Sequence, residues 1–328
     1  MHHHFETHSA TLNGKDHPGF LDVILVVSNT RRFESRYRLF KKILDELKAT
    51  PNIRVTTVET AFGRRPFHIA DPSSKQDILF SNYDELFHKE NMINLGIQRL
   101  PMNWKYVCWM DADIGFINYE KWATETIESL QHHMIVQPWS HAIDLGPDGE
   151  TFAQYNSFGY CYETMEKMSP DWKPYGRYQH TGYCWAARRE AIDYLGGLMD
   201  FAILGSADHH MAWSLIGMAN KTFPPNAIMS EYRGLVYDWQ DRALRYIQKD
   251  IGFVPGTIYH YWHGKKKDRK YKDRWETLIK YDFNPRNDLV RDWQGLWRLR
   301  VENDRQIGLR DGIRKYFKGR FEDSSDLE

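Results

Sequence analysis

Two aspartates separated by one residue, Asp111 and Asp113, are the clearest candidates for chemistry in this sequence. They directly follow the apolar run 104–110, whose composition is typical of a buried strand. In α/β proteins, ligand sites form at the carboxyl ends of strands, which is where this pair falls. Carboxylates suit Mg²⁺ and Mn²⁺, and such an ion neutralises the charge on a departing diphosphate. Acidic pairs are also common in loops that bind nothing, so the motif needs supporting residues.

A later segment, 259–267, could supply a third metal ligand and a phosphate contact. It contains His260 and His263, followed by three lysines of which Lys266 is the central one. Imidazole is a suitable Mn²⁺ ligand beside carboxylates, and the lysines could hold donor phosphates. Either histidine could instead be a hydrogen-bonded structural residue, and the lysines could form a solvated loop or a nucleic-acid contact. The sequence leaves these alternatives open.

The elements that would position these residues follow an α/β pattern. The run Asp22–Ser28 is apolar and β-branched, as in a strand covered on both faces. Apolar residues at helical spacing follow in 37–47, and an alternating strand is predicted at 53–58. This order of strand, helix and strand opens an α/β fold with a parallel sheet.

The remainder of the chain continues this pattern less clearly. Residues 139–178 are rich in Gly, Pro, Tyr and Ser and predict ordered loops over the sheet edge. After 269 the chain is charged, with helical spacing in places, and it ends in an acidic stretch at 322–328. The other predicted elements are a helix over 77–100, a strand at 104–110, a helix at 119–132, a strand at 134–138, a strand at 181–187, and helices at 188–195 and 208–219.

Composition limits the classes of protein to which this chain could belong. Among its 328 residues, 44 are Lys or Arg and 44 are Asp or Glu, so net charge gives no long-range attraction to a polyanion. The cysteines, Cys108, Cys161 and Cys184, form no CxxC pair, which disfavours a disulfide framework. No apolar run reaches the roughly 18 residues that predict a membrane span, and residues 1–18 are polar rather than signal-like. We therefore expect a cytoplasmic protein.

From Asp22 to His263, the arrangement of residues resembles the GT-A fold glycosyltransferases. The resemblance rests on the opening strand, on Lys89, Glu90, Asn91 and Asn94 in a predicted helix, on the motif Trp109-Met-Asp-Ala-Asp113, and on His263-Gly264. It implies a Rossmann-like nucleotide-binding α/β fold with a mostly parallel central sheet. It also implies transfer of a hexose or pentose from a nucleotide sugar, with UDP as the expected nucleotide.

The resemblance further implies a division of the chain and roles for individual residues. It implies a flexible N-terminus at 1–20, a GT-A catalytic domain at 21–268, and a C-terminal helical extension with an acidic tail at 269–328. The implied ligands of Mn²⁺ or Mg²⁺ are Asp111, Asp113 and His263. The expected nucleotide-binding residues are Ser28, Asn29, Arg31, Lys89, Asn94, Asp111 and Lys266.

Two further clusters fit a donor sugar and an acceptor. The segment 180–185 places a flexible glycine beside an aromatic residue, as a sugar pocket requires. Asp208, near the start of a predicted helix, is the candidate general base for an acceptor hydroxyl, although it could instead cap its helix. The chain lacks the acidic doublet of the family's Gly-Trp-Gly-Glu-Asp pattern, and in a retaining enzyme Asp208 would position sugar hydroxyls. The predicted substrate-binding residues are Trp139, His180, Thr181, Gly182, Trp185 and His209.

The acceptor is open on sequence alone. The chain also resembles glycosyltransferase-like proteins of bacteriophages and bacteria, which implies a glycan, a small molecule or a modified base of phage DNA as acceptor, and the host cytoplasm as location if a phage encodes it. The basic run 265–272 favours DNA, whereas the balanced charge favours a neutral acceptor. One rival is a nucleotidyltransferase, although its Gly-rich phosphate loop is absent after the first strand. Another is a non-catalytic carbohydrate- or nucleic-acid-binding protein.

Overall fold

The computed structural model describes residues 10–12, 15–17, 19–166, 179–270 and 273–323. The described strands are β1 (Ala10–Leu12), β2 (Lys15–His17), β3 (Leu21–Ser28), β4 (Ile53–Phe62), β5 (Asp77–Asn82), β6 (Tyr106–Met110), β7 (Ile114–Phe116), β8 (Ile135–Gln137), β9 (His141–Leu145), β10 (Thr151–Ser157), β11 (Gln179–His180), β12 (Cys184–Arg188), β13 (Ile251–Phe253), β14 (Thr257–His260), β15 (Leu289–Arg291) and β16 (Trp297–Leu299). The described α-helices are α1 (Glu34–Ala49), α2 (Lys89–Ile97), α3 (Trp122–Ser129), α4 (Phe158–Cys161), α5 (Arg189–Leu195), α6 (Ala207–Leu215), α7 (Ser230–Arg242), α8 (Asp273–Lys280), α9 (Pro285–Asp288) and α10 (Asp304–Lys318).

A seven-stranded sheet forms the centre of the fold, in the order β13-β8-β12-β6-β3-β4-β5. Strands β6, β3, β4 and β5 pair in parallel, β12 runs antiparallel to both of its neighbours, and β13 is parallel to β8. The predicted α/β fold with a mostly parallel central sheet is therefore confirmed.

Strand β3 is apolar on both faces because the sheet is covered on both sides. Ile24 packs into one hydrophobic cluster, whereas Val23 and Leu25 pack into the other, and all three are fully buried. Helix α1 adds Phe40 and Ile43 to the second cluster. Each such buried side chain stabilises the fold by about 1.5–3 kcal/mol relative to exposure.

A second sheet has the strand order β11-β10-β9-β14-β7. Its strand β7 is the next strand after β6 in the sequence. Strand β7 begins at Ile114, directly after the acidic pair, and pairs antiparallel with β14, so that His260 lies opposite Ile114. The backbone N–H of Tyr261 then donates to the carbonyl of Asp113 at 2.8 Å. This pairing brings two segments that are far apart in sequence to one point.

Two sequence-based predictions of local structure are wrong. The region 77–100 is not one helix but β5 followed by α2, because a short apolar run such as 78–80 does not distinguish strand from helix. The region 139–178 is not a set of loops over its described part, since it contains β9, β10 and α4. Many positions on β9 and β10 are polar or half-buried, so the sequence does not show the regular alternation of apolar and polar residues that predicts a strand.

The C-terminal extension packs on the core rather than standing apart. Leu278, Leu309 and Ile313 belong to the main hydrophobic cluster, and the extension contains the β15–β16 hairpin as well as helices. Of the expected flexible N-terminus, the described parts β1 and β2 form an antiparallel pair, and the rest of 1–18 lies outside the described residues, as do 324–328 of the acidic tail. No helix in the described ranges has the length and apolar character needed to cross a bilayer.

Candidate active site

Asp113, His260 and His263 form a cluster that could hold a metal ion, with one ligand atom from each lying within 4.8 Å of the others. Oδ2 of Asp113 lies 3.1 Å from Nε2 of His263, and Oδ1 lies 3.9 Å from Nε2 of His260. Oδ1 of Asp113 is buried without a hydrogen-bond partner, which is costly unless a cation or water satisfies it. One carboxylate and two imidazoles suit a first-row divalent ion such as Mn²⁺.

A buried carboxylate behind His260 fixes the orientation of its ring. Nδ1 of His260 lies 3.0 Å from Oδ1 of Asp144, whose side chain is almost completely buried. The hydroxyl of Tyr183 donates to the same oxygen at 2.5 Å. With its proton on Nδ1, His260 presents the lone pair of Nε2 towards Asp113, as a metal ligand would. The sequence carried no signal for Asp144, which is placed by the pairing of β9 with β14.

Asp111 lies beside this cluster but makes a different contact. Its Oδ1 pairs with Nζ of Lys89, the first residue of α2. Burial raises the pKa of Asp111, and Asp113 adds to the rise while Lys89 opposes it. Burial opposes the positive charge of Lys89, yet the nearby acids Asp111 and Glu90 raise its pKa above its usual value. Of the two aspartates predicted to bind the metal, Asp113 therefore lies in the histidine cluster and Asp111 pairs with Lys89.

A cavity of about 920 Å³ opens onto this cluster, a volume within the range of small-molecule sites. The residues of the sequence-based site that line it are Ser28, Lys89, Asp111, Asp113, His180, Thr181, Gly182, Asp208, His209 and His263. The lining also includes residues that the sequence did not single out, among them Arg36, Tyr155, Tyr183, Lys221, Phe223, Arg274, Trp275 and Arg320. The lining carries six arginines and lysines and four carboxyl groups, so cations outnumber acids around the cavity.

Five other predicted site residues do not line the cavity. The side chain of Asn29 bonds the backbone of Phe33, and Arg31 is exposed to solvent. Asn94 holds the backbone of Leu198. The fully buried Trp139 and the buried Trp185 belong to the core clusters.

The side chain of Lys266 lies outside the described part of the chain. Its backbone is in the 3₁₀ turn Lys266–Arg269. Its predicted contact with donor phosphates therefore stays a prediction.

Asp208 faces the cavity from the first turn of α6. Burial opposes its ionisation, but Lys89 and, to a smaller extent, His209 hold the pKa of this carboxyl below its usual value. Its Oδ1 accepts from the next backbone N–H at 2.9 Å. An ionised carboxylate at this point could accept a proton, and the contact with its own turn also contributes to the helix start.

Glu90 is a buried carboxyl of the same cavity, 4% exposed. Burial raises its pKa to about 8, with Lys89 opposing the shift and Asp208 adding to it. A carboxyl with a raised pKa in the folded state retains its proton after the unfolded chain has lost it. Its contribution to stability is therefore complete below the unfolded pKa and is lost as the pH rises towards the folded value.

We expect Glu90→Gln to remove this part of the pH dependence of stability. Between pH 4.5, the unperturbed value, and about 8, the native chain should lose unfolding free energy that the variant keeps. Urea unfolding of both proteins across this range measures the difference, and Glu128→Gln on the exposed side of α3 is the control. Parallel pH profiles for the native chain and Glu90→Gln would contradict a buried, protonated Glu90.

Comparison with known proteins relates this fold to solved structures at low sequence identity. The catalytic domain of Drosophila β1,4-galactosyltransferase 7, in complex with xylobiose, is 11% identical, with a TM-score of 0.39 and coverage of 89% of this chain and 98% of that chain. S. aureus TarS is 9% identical, with a TM-score of 0.39 and coverage of 90% and 71%. The galactosyltransferase LgtC, in complex with donor and acceptor sugar analogues, is 8% identical, with a TM-score of 0.34 and coverage of 88% and 100%. Neither protein-family models nor curated proteins give a match.

Proposed function

We propose that the protein is a metal-dependent glycosyltransferase that moves a sugar from a nucleotide sugar, with UDP as the expected nucleotide, to an acceptor hydroxyl. The observation that carries the proposal is the meeting of two features at one place. Asp113, His260 and His263 converge on a point that suits a divalent cation, and the cavity beside them extends from the end of β3 to Asp208. A metal-dependent nucleotide-sugar transferase needs both features in contact.

The residues of the cavity divide the chemistry between them. Asp113, His260 and His263 would hold Mn²⁺, which neutralises the charge on a departing diphosphate when bound. Lys89 remains protonated at neutral pH, since nearby acids raise its pKa, and it attracts phosphate oxygens. Asp208, which is ionised, accepts the proton of the acceptor hydroxyl as it attacks the sugar carbon.

The acceptor that we propose is a hydroxyl of a glycan or small molecule rather than duplex DNA. Two cations in or beside the basic run 265–272 turn inward. Arg269 is 4% exposed and donates to the carbonyl of Gly264, and Arg274, just beyond the run, lines the cavity. A continuous outward basic face is therefore interrupted at Arg269. Aromatic residues of the cavity, Tyr155 and Trp275, suit the apolar face of a sugar ring. The location that we propose for such an enzyme is the cytoplasm.

The test of this function is the release of nucleoside diphosphate from a panel of nucleotide sugars, with Mn²⁺ or with EDTA. We expect metal-dependent turnover of one donor, which also identifies the sugar. Release of pyrophosphate from a nucleoside triphosphate and a sugar phosphate would instead identify a nucleotidyltransferase. Absence of turnover and of metal-dependent donor binding across the panel would overturn the proposal.

Gly182 provides a test of how closely the base is placed. A Cβ at this position would lie 2.7 Å from Oδ2 of Asp208 and 3.2 Å from Cε1 of His180, so Gly182→Ala should displace the carboxylate. A displacement of about 1 Å in a catalytic group can cost about 10²-fold in rate. We therefore expect kcat to fall by about 10²-fold and the melting temperature to change little, because the end of a flexible side chain can move.

The matched control is Gly234→Ala on α7, where a Cβ would meet nothing within 4 Å. Steady-state kinetics and thermal melts of the two alanine variants separate displacement of the base from a general effect of adding a methyl group. Equal kcat values for Gly182→Ala and the native chain would show that the position of Asp208 does not matter for the reaction.

A further inference from the structure

The segment 320–323, near the C-terminal end of the described chain, packs between α1 and the loop that carries His263. Oγ of Ser35 donates to the carbonyl of Glu322 at 2.7 Å. The carboxylate of Asp323 accepts the backbone N–H groups of Glu34 and Ser35, at 3.1 and 2.9 Å. On the other side, the N–H of Phe321 donates to the carbonyl of Asp268. The segment therefore connects the start of α1 to the loop 263–269.

Gly264 allows this close approach. It has a φ of +90°, and a Cβ there would lie only 2.8 Å from Cα of Glu322. The loop that follows His263 is thus in backbone contact with the C-terminal segment. A side chain at 264 would push the two apart, so this packing depends on glycine.

The carboxylate of Glu322 is buried and held by two guanidinium groups. It is 2% exposed, its Oε2 accepts from Nε of Arg36 at 2.5 Å, and its Oε1 accepts from Nη2 of Arg320 at 2.7 Å. Two cations satisfy the charge, which would be costly to bury alone. The position of the carboxylate is therefore fixed from two sides.

The same carboxylate faces the ring nitrogen of His263 that points away from Asp113. Oε2 of Glu322 lies 3.3 Å from Nδ1, while Nε2 of the ring lies 3.1 Å from Asp113. The atoms Oε2 and Nδ1 are at hydrogen-bond distance, although Nδ1 is not in hydrogen-bond alignment. His263 thus lies between Asp113, another proposed metal ligand, and Glu322 on the opposite side of the ring. Asp144 occupies the corresponding place behind His260.

We infer that Glu322 is a positioning residue for His263, so that the C-terminal segment completes the metal site. A carboxylate at the remote nitrogen of a ligating imidazole fixes the tautomer and the ring orientation, and raises the basicity of the ligand. The inference rests on the proposed metal-dependent function. It assigns to the segment 320–323 a role in metal affinity that is separate from its role in packing.

Asp323 offers a matched control, because it anchors the same segment without reaching His263. Its carboxylate binds only backbone N–H groups of α1 among the contacts described for it. Loss of either acid should loosen the segment, whereas loss of Glu322 alone should disturb the histidine. The comparison therefore separates a positioning role from an anchoring role.

The experiment measures Mn²⁺ affinity without any donor, by electron paramagnetic resonance of the free ion, for the full-length native chain, Glu322→Gln and Asp323→Asn. We expect the Kd for Mn²⁺ to rise by about 10–100-fold in Glu322→Gln, the usual effect of removing such a partner. In Asp323→Asn we expect a change within about twofold, since the ligands and their partners stay in place. Thermal melts should show lower stability in both variants. Glu322→Asp keeps the charge and should restore part of the affinity.

An unchanged Kd in Glu322→Gln, or an equal loss in both variants, would overturn the positioning role. If Glu322→Gln does not fold, Glu322→Asp decides the point, because an unchanged Kd in that shorter acid would also contradict a fixed contact with His263. A native chain that binds no Mn²⁺ would refute the metal site itself and this role with it. Loss of turnover in Glu322→Gln with an unchanged Kd for Mn²⁺ would refute only the positioning role.

Discussion

Replacing Asp113 with alanine should abolish metal-dependent release of nucleoside diphosphate, with a fall in kcat/KM of about 10³-fold or more. Asp113 is the one carboxylate in the cluster with His260 and His263. A bound ion stabilises the charge of a departing diphosphate by several kcal/mol, and each 1.36 kcal/mol is about tenfold in rate. Release assays and Mn²⁺ titrations of the native chain and the variant measure the loss.

The control for this variant is Asp45→Ala, on the solvent-exposed side of α1, which should retain the native rate. Burial opposes the ionisation of Asp113, yet His263 and then His260 hold the pKa of its carboxyl well below the usual range. Alanine therefore removes an acid that both histidines face. Metal-dependent turnover at the native level in Asp113→Ala would show that this cluster does not hold the catalytic ion.

Replacing Asp208 with asparagine should lower kcat by about 10²–10⁴-fold, the usual contribution of a general base, while Mn²⁺ and donor binding remain. Asparagine has nearly the same shape and can still accept the backbone hydrogen bond of its own turn, but it cannot accept a proton. Transfer to an acceptor should therefore fail although the donor still binds. Steady-state kinetics with donor and acceptor varied separately distinguish an effect on kcat from one on KM.

Asp193→Asn, on the exposed side of α5, is the matched control for Asp208→Asn. If Asp208 only stabilises the start of α6, its asparagine variant should show a lower melting temperature with a native kcat. That result would support the capping interpretation and remove Asp208 from the mechanism. A retaining transferase would show a third pattern, in which the KM for the donor rises because sugar hydroxyls lose a partner.

The core of the fold could be predicted because its signals are local. Strand β3 and helix α1 have uninterrupted apolar patterns, and the position of Asp111 and Asp113 after a buried strand predicts the edge of the sheet on which they lie. Asn29 and Asn94 were predicted to bind the nucleotide, but they do not line the cavity. Their side chains instead hydrogen-bond backbone groups of Phe33 and Leu198. The sequence shows that a side chain is polar, but it does not show whether that side chain binds a ligand or a backbone group.

The sequence by itself determined the α/β class, the strand that ends in the acidic pair, and the candidate ligands, since each depends on residue type and short-range periodicity. Only the tertiary structure decided which residues meet. The pairing of β14 with β7 and β9 brings His260 to Asp113 and Asp144, and the packing of the C-terminal segment brings Glu322 to His263. Such contacts depend on strand register and on burial, which no short stretch of sequence encodes. Glu322, the first residue of the predicted acidic stretch, therefore belongs to a buried ion-pair network that the sequence did not indicate.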